Sequence, residues 1–298
     1  MPPLNARLIV LASLLAQACS AQALEAQAYR LQLGDGSTYR LQSATLAITS
    51  KAIDQPSPVL SAKPYAEEIA WAAAEAFPGI SATLLDHNPA FLALARVLGG
   101  ETPVGSVEVE RGELTGLKLS ASYDLITCAY AMTELDDPSM ALAAEKLWAA
   151  TSGALVIIEP GRPRDYERLM SLRARLLALG GEILAPCPHG RACPLLPPDW
   201  CHFSVRLERS RDHIRLKGAT LGYEDEKFSY LVVTRPGLGR PATGRVLRQP
   251  EENKFSVTLT VCDADGASRK VIASRDRQAF KLARKLRWGD RFSPDGAD

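Results

Sequence analysis

Short apolar runs alternate with amphipathic helical patterns along the middle of the chain. Helical patterns at 64–77, 136–150 and 165–179 each begin at Pro or Asp and are followed by Gly, which are ordinary start and stop signals. The apolar runs between them predict strands at 57–60, 81–86, 104–110, 123–130, 154–159, 182–185 and 228–234. This alternation predicts an α/β fold with a doubly wound sheet of parallel strands.

Different patterns flank this region. Residues 1–56 form an N-terminal helical region, with a helix from about Asn5 to Leu31 and a turn after it. Beyond a Pro/Gly-rich linker, residues 236–298 predict a small basic β unit. Its elements are strands at 246–247, 255–262 and 270–273, and a helix at 276–288 capped by Ser274 and ended by Gly289. The central domain is 57–235, with a cysteine-rich insertion at 186–227.

The N-terminal apolar run has a second interpretation. Arg7 precedes LIVLASLLA, and Ala-Gln-Ala follows at 16–18 and 21–23, a pattern typical of a secretory signal. The run is too short to span a membrane. Six cysteines without a disulfide pattern favour a reducing compartment. We expect a cytoplasmic protein with no membrane partner.

Charge is unevenly distributed although the formal net charge is only +1. Residues 1–160 contain 9 Lys/Arg and 17 Asp/Glu, whereas residues 161–298 contain 26 Lys/Arg and 17 Asp/Glu. Such asymmetry predicts either nucleic-acid contact or a solvated basic face. On the last helix, i, i+4, i+7 and i+8 spacing places four cations on one face, namely Arg277, Lys281, Arg284 and Lys285. Phe280, Ala283 and Leu286 are expected to pack on the β unit. Further cations come from Arg245, Arg248, Lys254, Arg269, Lys270 and Arg275.

Four cysteines form the clearest chemical pattern. Cys187, Cys193 and Cys201 follow Cys-x5-Cys-x7-Cys spacing with two Cys-Pro steps, and Cys262 stands far downstream. Thiolates suit zinc or iron–sulfur clusters. Zinc sites usually have tighter Cys-x2-4-Cys pairs, whereas a cluster holds its thiolates further apart. Spacing alone leaves zinc and an iron–sulfur cluster open, and the four residues could also be ordinary buried thiols or a disulfide pair.

Several segments resemble one family. CPHGRACPLLPPDWCHF, the following YEDEKFSYL, the preceding IEPG and the late ARKLRWGDRF are similar to the methyltransferase-like factors of small-ribosomal-subunit assembly. That family includes the mitochondrial methyltransferase-like protein seventeen and many bacterial members. The resemblance covers most of the chain from about Leu60. It implies a class I methyltransferase-like fold, a [4Fe–4S] cluster on Cys187, Cys193, Cys201 and Cys262, and a monomer that binds small-subunit ribosomal RNA.

The resemblance also implies an S-adenosylmethionine site after the first strand. Family members carry an acidic residue and Gly-x-Gly-x-Gly there. In this chain Ser61 stands at the acidic place, and the glycine places carry Lys63, Tyr65 and Glu67. Side chains there crowd the backbone approach that glycine permits, so we expect weak or absent cofactor binding. Lys63 could instead reach a carboxylate of the ligand.

Other candidate residues leave the activity open. Asp86 ends the second strand, where an acidic residue holds ribose hydroxyls, but Asp is equally a common turn former. Cys128 is either a nucleophile or, in the simpler interpretation, a buried strand thiol. The alternatives to an assembly factor are an active S-adenosylmethionine-dependent rRNA methyltransferase and a zinc-stabilised RNA-binding module.

Overall fold

The computed structural model describes residues 29–32, 38–41, 81–86, 88–89, 92–93, 95–96, 106–119, 122–209, 211, 214–215, 218 and 220–293. The chain divides into two compact units. The first takes in the residues up to 118 together with 127–143 and 205–226, and the second takes in 119–126, 144–204 and 227 onward. The predicted strand at 57–60, the helix after it and most of the N-terminal helix lie outside the described residues.

The chain near residue 30 forms a strand pair where a helix was predicted. β1 (Tyr29–Gln32) pairs antiparallel with β2 (Thr38–Leu41). The helix prediction is therefore wrong for its last three residues, 29–31. Large apolar and polar residues alternate in both segments, and Gly-Asp-Gly stands between them, a pattern that favours a hairpin.

Two parallel strands belong to the first unit. β3 (Ser81–Asp86) pairs in parallel with β4 (Ser106–Arg111). β3 matches its predicted bounds, and β4 ends one residue later than predicted. Helical residues follow β3 at 89, 92–93 and 95–96.

The larger sheet is mixed, and the prediction that all its strands are parallel is wrong. Its strands are β5 (Tyr123–Ala129), β6 (Thr151–Pro160), β7 (Glu182–Ala185), β8 (Phe203–Glu208) and β9 (Tyr223–Thr234). Their order is β5-β6-β9-β7, and β8 pairs with β9. β9 runs antiparallel to both β6 and β7, so β6 and β7 are parallel to each other. Periodicity in a sequence reveals a strand but not its direction.

Two helices accompany these strands, α1 (Asp137–Ala149) and α2 (Pro163–Ala178). α2 connects β6 to β7 and ends where Gly was expected to stop it. Gly180 adopts φ +81°, the Gly180 amide donates to Leu177 O, and the Gly181 amide donates to Leu176 O. This is a Schellman cap, and it needs the left-handed conformation that glycine adopts without strain.

The C-terminal region forms an antiparallel sheet, with more strands than the three that the sequence predicted. The strands are β10 (Gly244–Val246), β11 (Glu251–Glu252), β12 (Ser256–Asp263), β13 (Gly266–Ala273) and β14 (Arg291–Phe292). β12 pairs with β10, β11 and β13, and β14 pairs with β10. β11 and β14 were not predicted because two-residue strands carry no periodic signal.

The last helix is shorter than predicted. α3 spans Arg277–Ala283, and its N-cap is Asp276, whose side chain accepts from the Ala279 amide, rather than Ser274. The chain leaves the helix at Arg284 and reaches β14 through a turn in which Gly289 has φ +93°. The expected apolar face is confirmed. Phe280, Ala283 and Leu286 pack with a core of Val246, Val257, Leu259, Val261 and Phe292.

Candidate functional site

Four cysteines line one pocket within the second unit. Cys187, Cys193 and Cys201 come from the loop between β7 and β8, and Cys262 comes from β12. The pocket has about 500 Å³ of empty space, including space open to solvent. The fold thus brings together the four thiols that the resemblance implied as ligands.

The pocket wall is mostly apolar. Pro186, Pro188 and Pro194 line it, and proline has no backbone N–H to leave unsatisfied. This wall covers part of the thiol surface and lowers the local dielectric. The other apolar residues that line the pocket are Leu169, Met170, Leu195, Phe203 and Leu247.

Polar groups reach two of the sulfur atoms. The Tyr166 hydroxyl, on α2, donates to Cys193 Sγ at 3.0 Å. His189 Nε2 lies 3.9 Å from Cys262 Sγ. Cys187, Cys193, Cys201 and Cys262 form no disulfide. Their sulfur atoms therefore remain available as ligands.

Burial raises the pKa of the thiols of Cys187, Cys201 and Cys262, and the neighbouring thiols raise it further. The pKa of Cys262 rises to about 12. The positive charges of Arg173 and Arg245 oppose this effect at Cys187. Without a metal centre these three thiols are therefore protonated at neutral pH, and a bound centre must displace the protons.

Two buried arginines lie next to the thiols. Arg173, on α2, donates from Nη2 to His189 O and to Arg191 O, both at 2.8 Å. Arg245, on β10, donates from Nε to Pro186 O at 3.2 Å and from Nη1 to Gly289 O at 2.9 Å. Both guanidiniums therefore bind carbonyls at or near the cysteine loop.

Aromatic residues fix the end of the cysteine loop. His202 stacks on Trp200 with ring centroids 4.6 Å apart and meets the Trp288 edge at 5.0 Å. Trp288 Nε1 donates to His202 O at 3.0 Å. Arg248 forms an ion pair with Asp199 at 2.7 Å. These contacts join the loop to the C-terminal β unit, the region that also supplies Cys262.

The donor set suits a soft metal centre. Four thiols and no carboxylate line the pocket, the ligand chemistry of zinc and iron–sulfur sites. Across the described ranges, no three or more His, Cys, Asp or Glu side chains are placed to hold a single metal ion. The thiols instead border an open space. In number and type, these residues fit a [4Fe–4S] cluster.

The four cations predicted on the last helix are all exposed. Arg277 and Lys281 lie on α3, Arg284 is its C-cap and Lys285 follows it, so the predicted helix extends too far beyond these cations. Arg284 forms an ion pair with Glu252 at 2.5 Å. Arg277, Lys281 and Lys285 have no carboxylate partner in the part of the chain that the structure describes.

The sequence analysis groups Arg245 with the further cations of the basic C-terminal unit, and the structure contradicts a surface position for it. Arg245 is only 3% exposed, so it is not on the basic surface. The chain places it in β10, a short strand paired on both sides by β12 and β14. Sequence charge alone gives no sign of this burial.

The predicted cofactor residues are only partly described. Ser61, Lys63, Tyr65 and Glu67 lie outside the described residues. Asp86 is buried at the end of β3, and its Oδ1 accepts from the Asn88 amide at 2.7 Å, a turn contact. Cys128 is fully buried in β5. None of the helices in the described ranges is long and apolar enough to cross a membrane.

Sequence reasoning missed Tyr166 and Arg173. Both lie on α2, seven residues apart and so on the same helix face. The available signal was a charged residue within the apolar stripe formed by Leu169, Leu172 and Leu176. A cation in such a stripe is buried only when something compensates its charge.

The fold class is α/β, with a mixed sheet and connecting helices. Two solved structures overlap with part of the chain. A magnesium protoporphyrin IX methyltransferase from Synechocystis PCC 6803 has a TM-score of 0.36 at 10% identity, covering 56% of this chain and 64% of that one. YcgJ from Bacillus subtilis has a TM-score of 0.37 at 13% identity, covering 56% and 86%. These partial overlaps do not decide an activity.

The chain belongs to the family described as "Mitochondrial small ribosomal subunit Rsm22", whose sequence model matches residues 23–293. It is 27% identical over 235 residues to the human "Ribosome assembly protein METTL17, mitochondrial", covering 69% of this chain and 48% of the relative. It is 25% identical over 229 residues to "Rsm22-cox11 tandem protein 2, mitochondrial" of Schizosaccharomyces pombe, covering 59% and 30%. The chain spans less than half the length of both relatives.

Proposed function

We propose that this protein assists assembly of the small ribosomal subunit by binding its ribosomal RNA, and that it carries a structural [4Fe–4S] cluster. The observation that carries the cluster proposal is the shared pocket of Cys187, Cys193, Cys201 and Cys262. Family membership supports the ribosomal role. The thiol set also supports a reducing compartment such as the cytoplasm.

The cluster's role in this proposal is structural. Three ligands lie in the loop between β7 and β8, and the fourth lies in β12. Ligation would join these segments and close a long stretch of chain, so part of the binding free energy becomes folding free energy. The protein would then hold the cysteine loop firmly against its C-terminal β unit.

Exposed cations support the RNA part of the proposal. Arg277, Lys281 and Lys285 are exposed near the end of the chain and have no carboxylate partner among the described residues. Phosphate groups are the natural partners of such cations, and their contacts depend on salt through counterion release. A ribosomal RNA therefore matches both this surface and the family.

Anaerobic purification tests the cluster directly. We expect brown protein with about four irons and as many sulfides per chain. Stoichiometric zinc without iron would exclude the cluster and favour a zinc-stabilised module.

Co-sedimentation with purified small ribosomal subunits tests the partner, with large subunits as the control. Equal binding to both would contradict a specific role in small-subunit assembly.

A second candidate is an active S-adenosylmethionine-dependent rRNA methyltransferase. Asp86 favours it, because a buried carboxylate ends β3 where the ribose of the cofactor is held in related folds. We nevertheless expect weak or absent cofactor binding because Lys63, Tyr65 and Glu67 replace the glycines. Titration calorimetry with S-adenosylmethionine separates the two, and micromolar affinity would favour the enzyme.

A further inference from the structure

Two buried arginines beside the cysteine pocket lack an acidic partner. Arg173 is 4% exposed and Arg245 is 3% exposed. Within the described ranges, neither forms an ion pair with an Asp or Glu, and their hydrogen bonds go to backbone carbonyls. A buried charge without a counter-charge is strongly destabilising, and carbonyl dipoles compensate only part of its lost hydration.

Arg245 also has an unused donor. Its Nε and Nη1 bind Pro186 O and Gly289 O, while its buried Nη2 has no hydrogen-bond partner among the described residues. The residue itself lines the cysteine pocket. A nine-tenths buried guanidinium with a free N–H at a pocket indicates an anionic occupant.

The charges of the pocket match such an occupant. No Asp or Glu is among the described residues that line the pocket, so no carboxylate there compensates the two guanidiniums. Four thiolates around a doubly positive [4Fe–4S] core carry two net negative charges, equal to the two positive charges of the arginines. A zinc ion held by four thiolates would carry the same charge.

We propose that Arg245 and Arg173 are the counter-charges of the centre held by the four cysteines. This inference rests on the proposed cluster. Arg245 Nη2 would donate to a sulfur of the centre, and Arg173 would stabilise the thiolate of Cys187. The two arginines are positioning residues that retain the centre and raise its reduction potential, because nearby positive charge favours the added electron.

The experiment compares the variants Arg245→Gln and Arg245→Lys, and the matching pair at Arg173, in anaerobically prepared full-length protein. Gln removes the charge, whereas Lys keeps the charge and loses the planar N–H fork. We expect both Gln variants to lose iron to a chelator about tenfold faster or more. Their reduction potentials should be more negative than the parent's, with the Lys variants in between. Arg206→Gln is the control, because Arg206 is exposed, paired with Asp225 and belongs to the first unit.

Thermal unfolding of the metal-free proteins separates this role from a merely structural one. Removing an uncompensated buried charge should raise the unfolding midpoint of the metal-free Gln variants, although the same change weakens the loaded protein. Gln variants that fail to fold, or that unfold at a lower midpoint without metal, would overturn the proposal. Parent-like iron retention and reduction potential in the Gln variants would also overturn it. A parent protein without iron and sulfide would overturn the cluster proposal itself.

Discussion

At the scale of single residues, the Tyr166 hydroxyl forms a hydrogen bond with a sulfur atom in the pocket. It donates to Cys193 Sγ at 3.0 Å. Burial raises the pKa of Tyr166 well above its usual value, and the neighbouring thiols raise it further. The hydroxyl is therefore protonated at any ordinary pH and is a permanent donor. Hydrogen bonds to ligand sulfurs raise the reduction potential of iron–sulfur centres.

We predict that Tyr166→Phe lowers the reduction potential of the loaded protein and speeds iron loss by a few-fold, the cost of one neutral hydrogen bond. Redox titration followed by electron paramagnetic resonance and a chelator assay measure both effects. The ring remains, so packing against the pocket is preserved. Tyr223→Phe is the matched control, since Tyr223 packs on Arg206 in the first unit. Equal potentials in Tyr166→Phe and parent would contradict this role.

Residue chemistry was only partly predictable from the sequence. The local spacing singles out Cys187, Cys193 and Cys201, whereas only the family resemblance adds the distant Cys262. Tyr166 and Arg245 were not assigned to the pocket because their contacts depend on how α2 and β10 pack. The prediction that Arg245 is a surface cation is wrong, because a sequence shows a charge but not its burial.

At the scale of elements, β12 places Cys262, the most distant of the four proposed ligands. Cys262 lies opposite Arg245 on β10 and opposite Ala267 on β13. Ladder hydrogen bonds on both sides fix the backbone of β12, so Cys262 cannot move independently. The loop that carries the other three cysteines lacks such a ladder between Cys187 and Cys201. The strand therefore holds the backbone of Cys262 by its ladder, whereas side-chain contacts hold the loop.

We predict that Cys262→Ser leaves less than about a tenth of the parent's iron, because a ligand on the fixed strand cannot be replaced from the loop. Iron and sulfide analysis after anaerobic desalting measures the loss. Limited proteolysis should then cut the loop between Cys187 and Cys201, which has lost its attachment. Cys128→Ala is the control, because Cys128 is buried in β5 and does not line the pocket. Full iron content in Cys262→Ser would remove this residue from the ligand set.

Element prediction succeeded where the periodic pattern was long or the end signals were strong. β3 and β7 match their predicted bounds, and the stop at Gly180 is correct. β8 was not predicted, because its short alternating FSVRLE pattern lies inside the cysteine-rich insertion, where no turn signal bounds it. α3 ends early because the chain must turn to bring β14 beside β10. That requirement is set by tertiary structure and is not visible in helix periodicity.

At the scale of the whole molecule, charge is segregated along the chain. Residues 1–160 carry an acidic excess, and residues 161–298 carry a basic one. From residue 236 onward there are 13 Lys/Arg against 8 Asp/Glu. Some of these cations are neutralised locally, as Arg284 is by Glu252, Arg269 by Glu251 and Lys270 by Asp263. The cations without carboxylate partners are the ones expected to contact phosphate.

We predict that replacing Arg277, Lys281 and Lys285 together by alanine weakens binding to small-subunit ribosomal RNA. The salt dependence of log K should flatten by up to about three units, one for each lost phosphate contact, because fewer counterions are released. Arg284→Ala should have a smaller effect, since Glu252 already neutralises this cation. The control removes three exposed cations from the first unit, Arg96, Arg111 and Lys118. Filter binding from low to high salt measures the slopes, with iron content checked in each variant. If the variant that lacks Arg277, Lys281 and Lys285 keeps the parent's salt slope, these residues are not the RNA contact. The same conclusion holds if the slope of the control variant flattens as much.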